Sequence, residues 1–326
     1  MLWSFAGLLF ASAAALRVAT ADADVPATGP RPAAKTPGVV RFALCQTPAD
    51  AFPPKDRIDA VFEWTRSRLP GDEDVIVFPE FAFTRFSDEA EAWRDATSVW
   101  ARATAFAQER RAFVIANHPS GSGGEPSRIY GETRVFSPTG TVAAVYRKRN
   151  LAAMDRAAGL SAGDGSVVAE LPFARLGLLI CKDAFFPEDG IEIGDYAASD
   201  VLVVQFSHPG VDDRNAPEAA DFSSVEKERN RMRSTRREWA DLRKPYFGVN
   251  RAGPDGSYRL AGGTFAAAAS GRIVSGLDDD PGVLVVDCTV LPDGRLVPVP
   301  APTTPPLPCA GSRVWPDFVR PVEHSD

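Results

Sequence analysis

Three apolar runs in this chain stop abruptly, and each stops at a residue able to do chemistry. "VIVF" ends at Pro79-Glu80, "AAVY" at Arg147-Lys148, and "LGLLI" at Cys181-Lys182-Asp183. A cysteine attacks a carbonyl once it is a thiolate. A nearby lysine ammonium favours the thiolate and also stabilises the oxyanion that attack creates. A carboxylate accepts the thiol proton and later delivers it to a leaving amine. Brought into one pocket, Glu80, Lys148 and Cys181 would make an acyl-transfer site that works without metal or histidine. Taken singly, each has a plainer reading: Cys181 as a small core side chain, Glu80 as a solvated turn residue, Lys148 as a surface cation.

The elements around them decide whether they can meet. "GVVRFALCQ", "DVIVF", "AFVIAN", "RLGLLI" and "DVLVVQF" read as buried strands. A helix is expected around 55–69, with Ile58, Val61, Phe62 and Leu69 at helical spacing, and a longer one over 87–110. A hairpin turns at Ser137-Pro138-Thr139-Gly140. A helix is predicted over 189–199 and a long charged one over 217–242. Further strands with glycine turns follow in "PYFGVNRAG", "YRLAGGTFAAAASGRIV" and "GVLVVD". Buried strands alternating with helices predict an α/β fold with mixed sheets. Ligands in such folds bind beyond the carboxyl ends of strands, where all three residues stand.

The chain has 326 residues, 44% of them hydrophobic, enough for one large domain with a substantial core. Its net charge of −7 argues against nucleic acid as a partner. Four cysteines without metal-type spacing and only three histidines predict no metal site, and no cofactor is expected. The apolar segment Leu2–Leu16 is shorter than the roughly 20 residues of a membrane span. Ala19-Thr20-Ala21 fits a cleavage site, so residues 1–21 read as a signal peptide for export to the periplasm or beyond. The alternative is an uncleaved membrane anchor. Residues 22–37 read as a disordered linker, 38–288 as the catalytic domain and 289–326 as a Pro-rich, irregular extension. After export, Cys288 and Cys309 are the pair expected to form a disulfide.

Five stretches in order carry a family likeness: "VIVFPEFAFT", "YRKRNL", "SAGDG" (161–165), "CKDAFFPE" and "GGTFAAAASGRIV". Together they resemble the carbon–nitrogen hydrolase (nitrilase) superfamily, from about Val39 to Asp287. The resemblance implies a four-layer α-β-β-α sandwich, often paired as a homodimer. It implies Cys181 as nucleophile, Glu80 as general base and Lys148 as oxyanion stabiliser, with the Lys182 backbone N–H as a second donor. Asp183, Phe186 and Pro187 would shape the turn. Many members carry a second glutamate soon after the lysine; "LAAMDRAAGLSAGDG" has none, and Asp155 is the nearest acidic substitute. The implied partner is a small-molecule amide, nitrile or acyl donor.

Other features have bland readings beside sharp ones. His208 fixes a turn before Pro209 or forms a dyad with Cys181. Residues 226–244 carry eight basic side chains among acidic ones, which predicts a solvated helix face. Phe81, Phe83, Phe185 and Phe186 pack the core or line an acyl pocket. The leading expectation is hydrolysis of an amide through a thioester. N-acyl transfer from the same intermediate and a non-catalytic binding protein are the alternatives.

Overall fold

The computed structural model describes residues 38–50, 52, 56–85, 96–122, 125–185, 191–210, 224–256 and 258–299. The expected signal peptide, the linker, Phe186, Pro187 and Cys309 lie outside the described residues. Its first half runs β1 (Val39–Gln46), α1 (Arg57–Arg66), β2 (Val75–Val77), α2 (Thr97–Arg110), β3 (Phe113–Ser122), β4 (Glu125–Phe136) and β5 (Val142–Arg147). Next come α3 (Ala153–Ala157), β6 (Leu160–Ser161), β7 (Val167–Glu170), β8 (Arg175–Ile180), β9 (Val201–Gln205), β10 (Pro209–Gly210) and α4 (Val225–Ser234). The chain continues with β11 (Tyr246–Val249), β12 (Ala252–Asp255), β13 (Tyr258–Ala261), β14 (Phe265–Ala267), β15 (Ile273–Gly276), β16 (Gly282–Val290) and β17 (Leu296–Pro298).

The central strands are apolar on both faces because both faces are covered. On β1, Phe42 and Leu44 point into one core while Ala43 and Cys45 point into another. The first core lies between two mixed sheets. One has the order β17-β16-β1-β2-β3-β4-β5, with β6 on β4; the other has the order β15-β14-β11-β9-β8-β7. Phe42, Val77 and Ile115 of the first sheet meet Leu178, Ile180, Val203 and Phe247 of the second. Burying each such side chain contributes about 1.5–3 kcal/mol. Outside the first sheet, Phe62 of α1 and Phe106 of α2 pack on Phe78. Outside the second, Met232 of α4 and Trp239 pack on Leu202, Val204 and Phe265. Helix, sheet, sheet and helix give the four-layer α/β architecture expected from the sequence.

The hairpin at 137–140 is present: the Gly140 N–H donates to Ser137 O at 2.8 Å, and Gly140 has φ +82°, a left-handed conformation that suits glycine. Two local expectations differ, and a third holds for one side of its helix. The segment expected as a helix over 189–199 holds a single 3-10 turn, Ile193–Tyr196, among its described residues. Strand pairing continues past 288, because β16 runs to Val290 and β17 adds an edge strand to it. The charged helix α4 has the expected solvated face, with Glu226, Lys227, Asn230 and Arg231 exposed, but its other side is built into the fold. It buries Glu228 and Met232, and Arg229 and Arg233 donate to the carbonyls of Ala261 and Gly263. Those arginines satisfy backbone acceptors that the β13–β14 connection would otherwise leave unmet.

Candidate active site

Glu80 follows β2, Lys148 follows β5, and both strands belong to the first sheet. Cys181 follows β8 and Ser207 lies just past β9, both of the second sheet. All four meet at one end of the sandwich, lining one cavity of about 320 Å³.

The Glu80 turn is held by a buried polar chain. Gln205 Nε2 donates to Phe78 O at 2.6 Å. Thr133 Oγ1 donates to Gln205 Oε1 at 2.5 Å, and Asn117 Nδ2 donates to Thr133 Oγ1 at 3.2 Å. Asn117 Oδ1 in turn accepts the N–H of Phe81, a residue held at φ +54°. A non-glycine residue in the left-handed region is uncommon and persists only where its surroundings over-determine it. Here that network does so, joining β2, β3, β4 and β9.

Lys148 is set by its neighbours on both sides. Its N–H donates to Gly131 O at 2.9 Å, and its carbonyl accepts the N–H of Gly163 at 2.8 Å. Gly163, in the "SAGDG" stretch, cannot be another residue without movement, since a Cβ there would lie 2.4 Å from Arg147 O. The Lys148 ammonium is buried and bridges two carboxylates, with Glu80 Oε1 and Asp155 Oδ2 each 2.7 Å away. Asp155 stands in the first turn of the short α3 and also accepts the Ala152 N–H at 2.7 Å. An aspartate reaches the lysine despite its short side chain, because α3 carries its backbone there.

Cys181 opens a one-turn 3-10 helix, Cys181–Ala184, with φ +44°. This elbow turns the side chain off the strand end into the cavity. Asp183 pins it. Its carboxylate accepts the N–H of Ile180 at 3.0 Å, the Tyr146 hydroxyl at 2.8 Å, and the N–H groups of Arg149 and Asn150 at 3.2 and 2.7 Å. The elbow of the second sheet is thereby tied to the end of β5 in the first. Trp239 Nε1 donates to Ala184 O at 3.0 Å and backs the turn from outside.

Electrostatics follow from this enclosure. Burial pushes the Glu80 carboxyl up to about 7; the Lys148 ammonium opposes the rise and the Asp155 carboxylate adds to it. Burial works against the charge of Lys148, but Asp155 and then Glu80 overcome it and hold its pKa well above the usual lysine range. Burial, then the Glu80 carboxylate, raises the Cys181 thiol well above its ordinary value, against the pull of Lys148. The Ser207 N–H donates to Glu80 Oε2 at 3.0 Å. A carboxylate, a cation and a thiol thus line one cavity and shift one another's ionisation.

Sequence reasoning brought Glu80, Lys148, Cys181, Asp155 and Lys182 to this pocket, and all five line it. His208 lines it too, but its Nε2 pairs with Glu228 Oε2 at 2.9 Å, and burial lowers its pKa against that partner. Phe81 and Phe185 line the cavity, whereas Phe83 packs in the core against Phe62. Asn117, Thr133, Gln205, Tyr146 and Ser207 were not singled out from the sequence. Gln205 and Ser207 stand at the end of an apolar strand, and that position was the one available signal. Among the described residues no group of three or more His, Cys, Asp or Glu side chains is arranged to hold a metal ion.

A buried carboxylate, a lysine and a cysteine thus meet at the strand ends of a four-layer α/β sandwich. The carbon–nitrogen hydrolase family model matches residues 43–291, and the chain belongs to that family. A protein of Schizosaccharomyces pombe named as a hydrolase is 27% identical over 132 residues, which is 35% of this chain and 39% of that protein's length. The fold is similar to a carbon–nitrogen hydrolase from Helicobacter pylori, with a TM-score of 0.65, 18% identity, and 76% of this chain and 88% of that one covered. It is also similar to an amidase from Nesterenkonia sp. AN1 solved with the acetamide moiety of fluoroacetamide added covalently at the active-site cysteine. There the TM-score is 0.61 and the identity 19%, with 80% and 90% of the two chains covered. The same amidase in complex with butyramide gives a TM-score of 0.61 at 19% identity, with 80% and 91% covered.

Proposed function

We propose that this protein hydrolyses the C–N bond of a small amide through a thioester on Cys181. The observation that carries the reading is the buried Lys148 ammonium bridging Glu80 and Asp155 at 2.7 Å, with Cys181 lining the same cavity. At rest the thiol keeps its proton and Glu80 is ionised above about pH 7. As Sγ bonds to the amide carbon, its proton passes to Glu80 and the carbonyl electron pair moves onto oxygen. The Lys148 ammonium and the Lys182 N–H stabilise that oxyanion. Early N–H groups of a helix have no intrahelical partner, so the elbow turn offers this donor. The C–N bond then breaks, Glu80 returns its proton to the leaving nitrogen, and the acyl group remains on sulfur. Glu80 next takes a proton from water, which attacks the thioester; the thiolate leaves and is reprotonated, and the acid departs.

Asp155 acts through Lys148, holding it charged and in place. Relatives support the chemistry: one mutant of the Nesterenkonia amidase carries the acetamide moiety on its active-site cysteine, and a cysteine-to-alanine mutant was solved in complex with butyramide. The test is intact mass of the purified protein after exposure to fluoroacetamide and butyramide, alongside ammonia release. An adduct on wild type and on Glu80→Gln but absent from Cys181→Ser, with turnover lost in both variants, is expected. Ammonia release retained by Cys181→Ser would overturn the reading.

A further inference from the structure

We propose that the pocket selects amides that carry a carboxylate at the non-reacting end, held at the mouth by Arg156, Lys182 and Arg231. This rests on the reading of Cys181 as nucleophile. The wall around the cysteine is largely apolar, with Phe81, Met154, Phe185 and Pro209. Inside, the charges of Glu80 and Asp155 already face Lys148. Beyond them, the ionised groups among the described residues lining the cavity are the three cations Arg156, Lys182 and Arg231.

Two of these cations share one acceptor. Arg156 donates to Leu151 O at 2.5 Å and Lys182 Nζ donates to the same oxygen at 3.2 Å. Two positive groups bonded to one atom at those distances lie less than about 6 Å apart, where like charges repel appreciably even near a surface. An anion seated between them relieves that repulsion. The third cation comes from α4. Arg231 is about half exposed, lies 3.6 Å from Glu228 Oε2, and has its guanidinium 5.4 Å over the Phe185 ring. Phe185 also packs against His208 at 5.1 Å, and His208 pairs with the same Glu228. The arginine head is thus positioned over an aromatic wall of the pocket, and its planar fork suits a carboxylate. The chain as a whole carries a net charge of −7, so three cations lining one mouth run against the general sign of its charge. A local positive rim raises the concentration of anionic ligand at the site.

The experiment compares the rates at which iodoacetate and iodoacetamide alkylate Cys181 in the full chain, read by intact mass with Cys181→Ser as the background. The same proteins are assayed on monoamides of four- to six-carbon dicarboxylic acids against neutral amides of equal length. N-acyl amino acids are set against N-acyl alkylamines, to learn whether the carboxylate belongs to the acyl or the amine portion. The iodoacetate-to-iodoacetamide ratio is expected to fall roughly fivefold in Arg156→Gln and in Arg231→Gln, and to fall in wild type as salt is added. Carboxylated substrates should lead their neutral partners in one of the two series. A ratio unchanged in both variants and in salt overturns the anion site, whatever the turnover. A shifted ratio with no amide turnover overturns the hydrolase reading and leaves the anion site standing. Failure of both reagents to modify Cys181 overturns both.

Discussion

Replacing Asp155 by Asn tests the electrostatics of the site without removing any group that bonds to substrate. Two carboxylate oxygens, each 2.7 Å from the same nitrogen, lie no more than about 5.4 Å apart. At an effective dielectric of about 20, two unit charges at about 5 Å repel by about 3 kcal/mol. Asp155 therefore contributes to the elevation of Glu80, in addition to burial. Loss of its charge should lower the Glu80 pKa, and about 1.4 kcal/mol corresponds to one unit. The acid limb of kcat/KM reports ionisation of the base in the free enzyme. In wild type, activity should rise as pH increases through about 7; in Asp155→Asn the same rise should begin roughly one to two units lower. The asparagine oxygen still accepts the Ala152 N–H, so α3 should stay in place. Lys148 loses one of two charge-assisted bonds, each worth about 1.5–3 kcal/mol, so the plateau rate should fall about tenfold to a hundredfold. Initial rates on butyramide from pH 5 to 9, with circular dichroism to verify folding, measure both effects. An acid limb that stays put, or moves upward, would refute the coupling of Asp155 to Glu80.

Other perturbations follow from the same geometry. Gln205→Leu cuts the bonds to Phe78 O and Thr133, so kcat should drop about tenfold or more while the protein still binds amide, as read by steady-state kinetics. Gly163→Ala forces a Cβ against Arg147 O; thermal melting should show a loss of about 1–3 kcal/mol, and Lys148 should shift enough to depress kcat. Tyr146→Phe removes one donor from buried Asp183 and should destabilise by about 1–3 kcal/mol in urea unfolding, with Cys181 alkylation slowed as the elbow loosens. A melting midpoint equal to wild type would contradict that role.

The sequence was most legible where apolar runs stop. Glu80, Lys148 and Cys181 were visible because each ends a strand, and an α/β fold collects strand ends on one side. The sandwich itself rested on the family likeness: a doubly buried strand such as β1 has no polar face to say which way it points. Asp155 was the nearest acid in the segment, but only α3 brings it to the lysine, and a five-residue helix leaves little periodic trace. Asn117, Thr133 and Gln205 form one network across three strands. Spacing along the chain cannot announce such a contact. The mixed charges of 226–244 announced the exposed face of α4 but not its inner side. There Arg229 and Arg233 spend donors on carbonyls of β13 and the following turn, and those partners are remote in sequence.

The division of the site between two sheets has a consequence for how such a protein can be dismantled or varied. Glu80 and Lys148 ride on one layer, Cys181 and Ser207 on the other, and the layers are clasped by Asp183 and Gln205. Neither layer owns a working half. A fragment carrying either sheet would retain no partial chemistry from which activity could be rebuilt stepwise. The rim arginines, by contrast, hang from α3 and α4, outside the clasp. Those positions can drift from one ligand preference to another while the clasped centre is left alone.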